Sequence, residues 1–155
     1  MEELEIPLKP LSKKDIHKLE VALIVATLLR EDVFQKIKES TERLTWIDSL
    51  AVAAGALARS RAGMTAERIA DDLGRTEATI RRHLSGKTEA GKLVQETFER
   101  FSREGVKIEF PSVLSEGVRT FKKELEEEKR RREELEALLG KVREKVKELV
   151  NVLNI

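Results

Sequence analysis

Apolar side chains recur along most of the chain at three- and four-residue steps, the spacing of one face of an α-helix. Ile16, Leu19, Leu23, Ala26 and Leu29 make the first such run. Ser12 with Asp15 three residues on reads as an N-cap with an acidic partner, so the spacing predicts a helix over about residues 13–30. Helical spacing continues from Val33 to Ile37. Thr45 stands where it can cap a further helix from Trp46 through Leu50, Ala54 and Leu57 to about Arg59, closed by Ala62 and Gly63. The small side chains of this helix, Gly55 among them, let neighbouring helices approach closely.

The elements then shorten. Thr65 caps a run to Leu73, Gly74 interrupts, Thr76 caps a second run to Leu84, and Ser85 with Gly86 stops it. Thr88 opens a helix through Leu93, Phe98 and Phe101 that ends near Gly105. Val106 to Phe110 alternates with period two before Pro111. A lone strand has no partner, so this piece is expected as an extended connector unless a second chain or the Ile6 to Leu8 segment pairs with it.

From Leu114 the apolar steps alternate strictly between four and three: Leu114, Val118, Phe121, Leu125, then Leu135, Leu139, Val142, Val146, Leu149 and Leu153, with Glu128 and Arg132 in the two remaining seam places. Glu126 with Arg130, Glu127 with Arg131 and Glu128 with Arg132 stand four apart with the acid first, each pair adding ~0.3 kcal/mol to a helix. At 1.5 Å per residue this helix would reach about 60 Å, too long to be buried on one small domain. The alternative is a hairpin, with Gly140 a weak point and the polar middle a bend that folds the two halves back on each other or on the core, but the unbroken heptad phase favours pairing with a second copy.

The expected fold is therefore all-α: a tri-helical helix-turn-helix core with extra N-terminal helices and a long C-terminal heptad, or coiled-coil, helix. The expected divisions are an N-terminal helical segment over 1–44, a helix-turn-helix domain over 45–105, a connector over 106–113 and a coiled-coil helix over 114–155.

Composition narrows the chemistry. With 30 Lys and Arg against 29 Asp and Glu in 155 residues the net charge is +1, so no global field draws the molecule to nucleic acid or lipid, and any such face must be local. The chain has no Cys and two His, His17 and His83, which excludes disulfides and thiol catalysis and leaves no metal or cofactor site to expect. Met1 to Pro10 lacks the basic start and apolar core of a secretory signal. Val21 to Leu29 is about half of the ~20 apolar residues that cross a bilayer, so a cytoplasmic protein without a membrane partner is expected. Gly86, Lys87 and Thr88 imitate the end of a phosphate-binding loop, but Arg81 occupies the place of its first glycine. Asp71 and Asp72 point different ways on a helix, and no nucleophile has a base beside it, so no enzyme is expected. Five Phe and one Trp are too few for the stacking platforms of single-strand binders, which leaves duplex DNA.

The motif from Ala66 to Leu84 gives that expectation its residues. Two helices crossing steeply need a small residue at the crossing, Ala70, a backbone that turns tightly, Gly74, and apolar side chains facing the core, Ile69, Leu73, Ile80 and Leu84. The Trp46 to Arg59 helix supplies the third side. With Ile80 and Leu84 inward, the 100° step turns Glu77, Ala78, Arg81, Arg82 and Ser85 elsewhere on the second helix. In docked motifs of this type that helix enters the major groove, where arginine donates to guanine or neutralises phosphate. Arg81 and Arg82 are the leading candidates. Thr76 and Thr79 are placed to bond phosphates, and Arg75 and Lys87 flank the helix. Glu77 either opposes an anion at the helix N-terminus or accepts from a cytosine amino group. From Arg59 to Lys87, seven basic side chains face four acidic ones, a local excess of three positive charges. His83 is expected as a half-buried packing residue with no chemistry.

The stretch MTAERIADDLGRTEATIRRHLSGKTEAGKLV, residues 64–94, resembles archaeal helix-turn-helix regulatory proteins, in particular a probable regulatory domain family encoded beside KaiC-like ATPases. The resemblance covers residues 45–103. It implies a role in transcriptional or sensory regulation, with an ATPase of that class as a partner. Two functions stand side by side: a homodimeric transcription regulator binding double-stranded DNA through residues 77–85, and an adaptor or sensory-regulatory subunit docking on a KaiC-like ATPase.

Overall fold

Seven helices, with no strand among the described residues, make up the chain in a computed structural model that describes residues 5–153. The chain divides after Pro111 into two units. The first holds α1 (Lys13–Leu28), α2 (Glu31–Glu39), α3 (Arg43–Arg61), α4 (Ala66–Leu73), α5 (Glu77–Leu84) and α6 (Glu89–Glu104); the second is α7 (Ser112–Val152).

α1 starts in a reciprocal capping box: the Asp15 N–H donates to Ser12 Oγ at 3.1 Å and the Ser12 N–H to Asp15 Oδ2 at 3.2 Å. It presses Leu19, Ala22, Leu23 and Ala26 onto α3 and α6. Thr27 and Thr97 bury their hydroxyls against each other at 2.9 Å, and Thr97 donates onward to the Leu93 carbonyl, so neither polar group is orphaned in the core. Arg30 fastens the turn after α1 to α6, with ion pairs to Asp32 at 2.8 Å and Glu96 at 3.1 Å and a hydrogen bond to the Leu93 carbonyl.

α3 is the shared wall. Every residue from Val52 to Ala58 is buried. Leu50, Ala53, Ala54, Leu57 and Ala58 face the α1–α6 side, while Val52 and Ala56 join Ile69, Ala70 and Ile80 in a second cluster beneath α4 and α5. Alanine makes this possible because it lets helices close on both sides of one axis.

Two expectations are corrected. Thr45 does not cap α3: Glu42 holds that position and Thr45 lies within the first turn. Arg43 reaches back to the carbonyls of Ser40 at 3.3 Å and Lys38 at 3.0 Å, which stabilises a start two residues before Thr45. α1 ends at Leu28, short of residue 30, because Arg30 is drawn into the extended N-cap of α2. The 106–110 segment joins no ladder among the described residues and is a connector.

α7 runs unbroken through Gly140, with no buried residue in its 41. Its seam is open to solvent, from Leu114 at 37% exposed to Phe121 at 72%. The ion pairs along it are Glu128 with Arg131 at 3.0 Å, Arg132 with Glu136 at 3.3 Å and Lys145 with Glu148 at 3.0 Å, in place of the three pairs expected at Glu126, Glu127 and Glu128. Exposed pairs three and four apart differ by only tenths of a kcal/mol, so sequence spacing does not decide among them. No described helix is long and apolar enough to cross a membrane.

Candidate nucleic-acid interface

The second cluster is what aims α5. Ile69 and Ala70 on α4, Ile80 on α5, and Val52 and Ala56 on α3 close a small core, edged by Leu73 and Leu84. Thr65 caps α4, its hydroxyl accepting from the Arg68 N–H. Gly74 ends it at φ 61°, where the Arg75 N–H donates back to the Ala70 carbonyl at 3.0 Å in a Schellman turn. A side chain at Gly74 would meet nothing within 4 Å, so the requirement for glycine there is the backbone angle alone. Thr76 then caps α5, accepting from the Thr79 N–H at 3.2 Å and bonding the Thr79 hydroxyl at 2.8 Å. Both threonine hydroxyls are thus already engaged in the cap.

With Ile80 and His83 inward, the opposite side of α5 is open: Glu77, Ala78, Arg81, Arg82 and Ser85 are exposed, as are Thr76 and Lys87 at its ends, while Thr79 is half-buried. Arg81 folds back one turn onto Glu77, its Nε 2.8 Å from the carboxylate, with both side chains in solvent. Arg82 and Lys87 make no side-chain ion pair among the described residues. Arg81, Arg82, Ser85 and Lys87 rim an open hollow of about 430 Å³ floored by Ala66 and Leu84. Three cations and no acid line it. Arg75 stands apart: its guanidinium holds both oxygens of Asp48 on α3, at 2.9 and 3.0 Å, and braces the turn.

The C-terminal end of α5 is pinned to α6 by contacts that the sequence reading did not single out. Gly91 packs against the His83 carbonyl so closely that a Cβ there would collide with it. Gln95 donates to the Leu84 carbonyl at 2.6 Å. Thr88 caps α6 by accepting from the Gly91 N–H at 3.0 Å, and its hydroxyl is also hydrogen-bonded with His83 Nδ1 at 2.7 Å. Burial holds the His83 pKa below its ordinary value, helped by the neighbouring Arg82 charge, so the ring is neutral at pH 7. The interrupted spacing at Gly86 hints at a tight junction, but partners eight to eleven residues apart leave no periodic mark.

The chain is 54% identical to "Uncharacterized protein MJ1053" of Methanocaldococcus jannaschii over 121 residues, 78% of this chain and 74% of that one. No protein-family profile matches the chain, and no solved structure does.

Proposed function

This chain belongs to the same family as MJ1053, and we propose that it is a regulator that binds duplex DNA with α5 and acts as a homodimer through α7. The observation that supports the reading most is the open side of α5, where Arg81, Arg82 and Lys87 surround an acid-free hollow beside an exposed helix face. A helix of that kind, held at both ends by Gly74 and Gly91, suits the major groove. Arg81 and Arg82 are the contacts to base edges or phosphate, Lys87 a phosphate contact, and Glu77, Ala78 and Ser85 line the same face. Thr76 and Thr79 contribute chiefly as a cap. Arg75 acts as a brace to Asp48 and adds charge at the rim.

Selection of duplexes from a random pool, followed by mobility-shift titration against salt, tests this. Replacing Arg81 and Arg82 together by Ala is expected to weaken binding and to reduce the salt slope by about two. Binding that ignores salt, or that survives the double replacement, overturns the recognition face.

A second reading is an adaptor docking on another protein, for which the resemblance supplies a KaiC-like ATPase. Leu44, 84% exposed, and Ile47, 38% exposed, leave two large apolar side chains open one turn apart at the start of α3, and such a pair suits a protein partner. Retention of the ATPase but of no duplex by the full chain would favour it.

A further inference from the structure

The exposed seam of α7 carries a symmetry of its own. By heptad phase Glu128 sits in one row of the seam and Arg132 in the other, and four apolar seam positions lie on each side of the pair before Leu149 and Leu153. Read from either end towards residue 130, the rows present the same classes of side chain, save that the acid on one side answers the base on the other.

We propose that α7 pairs with α7 of a second copy in antiparallel orientation, with the twofold axis at Arg130 and each Glu128 set against Arg132 of the other copy. The proposal rests on the homodimer reading above and fixes its direction and register.

In this register facing residues lie equally far on either side of residue 130: Leu125 meets Leu135, Phe121 meets Leu139, and the next two layers outward are also apolar on both sides. The two charged layers are neutralised across the interface. Sliding one heptad either way sets Glu128 and Arg132 against leucine or phenylalanine and buries four unpaired ions. A parallel pair in register sets Glu128 on Glu128 and Arg132 on Arg132 in successive layers. The flanks lean the other way, since a parallel pair would bring Glu124 beside Lys129 and Arg131 beside Glu136. Those are solvent-exposed pairs, each worth little, whereas unmatched charge in a seam is costly, so the seam decides. In the single chain Glu128 and Arg132 hold only the exposed neighbours Arg131 and Glu136, and exchanging these for partners across the seam gives up little.

The absence of cysteine makes the test direct. Glu116→Cys and Glu144→Cys lie on the helix face opposite the seam and accept spin labels in the full chain. Pulsed dipolar spectroscopy is expected to give about 47 Å for each variant alone, from about 42 Å of helical rise over 28 residues combined with about 20 Å across the pair, and an added component at about 20 Å for an equimolar mixture of the two. About 20 Å for each variant alone would show parallel helices and overturn the proposal while leaving the homodimer intact. Sedimentation equilibrium separates the two failures: a chain that stays monomeric at every concentration removes the homodimer reading itself, and the register with it.

Discussion

α3 and α7 are both uninterrupted helices, and they are held in opposite ways. α3 is buried on all sides over Val52 to Ala58, carries small side chains there, and is fixed by the helices around it. α7 has no buried residue, a narrow apolar stripe and charges elsewhere, so it depends on helix propensity and on pairs worth tenths of a kcal/mol each. The lesson is that the width of the apolar face, more than its period, tells a wall from a rod. A face that goes all round marks a helix that other elements enclose, and a two-in-seven stripe marks one that a single partner helix would cover.

The largest effect expected from breaking this contrast is on α3. Trp46, the single tryptophan, sits on that helix and reports on the first unit. Leu50→Ala is expected to cost about 2–5 kcal/mol in urea unfolding followed by its fluorescence, because Leu50 is fully buried. Leu135→Ala should leave that transition within about 0.5 kcal/mol and weaken only self-association. Equal shifts in the two variants would erase the distinction between wall and rod.

A smaller effect is expected where α5 meets α6. Gly91→Ala puts a methyl into the His83 carbonyl, and should cost about 1–3 kcal/mol in the same unfolding experiment and weaken duplex binding by displacing α5. Gly140→Ala on α7, where a Cβ meets nothing within 4 Å, should instead stabilise its helix slightly, by up to about 1 kcal/mol seen by circular dichroism. Opposite signs at two glycines would sharpen the contrast, and matching signs would blunt it.

The smallest effect is that of pH. The His83 pKa is depressed in the folded chain, so between that value and the ordinary one near 6.5 the unfolded chain binds more protons. Stability is full above about pH 6.5 and falls as acid carries the ring through its folded pKa. The Trp46 transition should show this loss, and His83→Gln should flatten it. α7 contains no histidine and should keep its helix content over the same range.

Much of this architecture is legible in local sequence because its causes are local. Ser12 with Asp15, Thr65, Gly74, Thr76 and Thr88 each act within five residues, and the structure uses each as the spacing indicates. The open side of α5 follows from a 100° step. What was not legible depends on residues far apart in the chain. The engagement of Arg75 needs Asp48, 27 positions away, and the buried Thr27 hydroxyl needs Thr97, 70 away. The start of α3 was misplaced because Thr45 satisfies a local rule that Arg43 overrides by bonding two upstream carbonyls. Gly91 looks like any helical glycine until α5 is laid against it.

Glu77 gives the proposed interface an unexpected temper. Before any duplex arrives, the Arg81 guanidinium already holds a carboxylate one turn back, so an incoming phosphate must compete for it and then tolerate the displaced anion nearby. Every polyanion meets that handicap equally, and only a target that offers Glu77 a donor of its own escapes it. The pair is exposed, so the handicap amounts to tenths of a kcal/mol: enough to tilt a choice between targets, too little to forbid one.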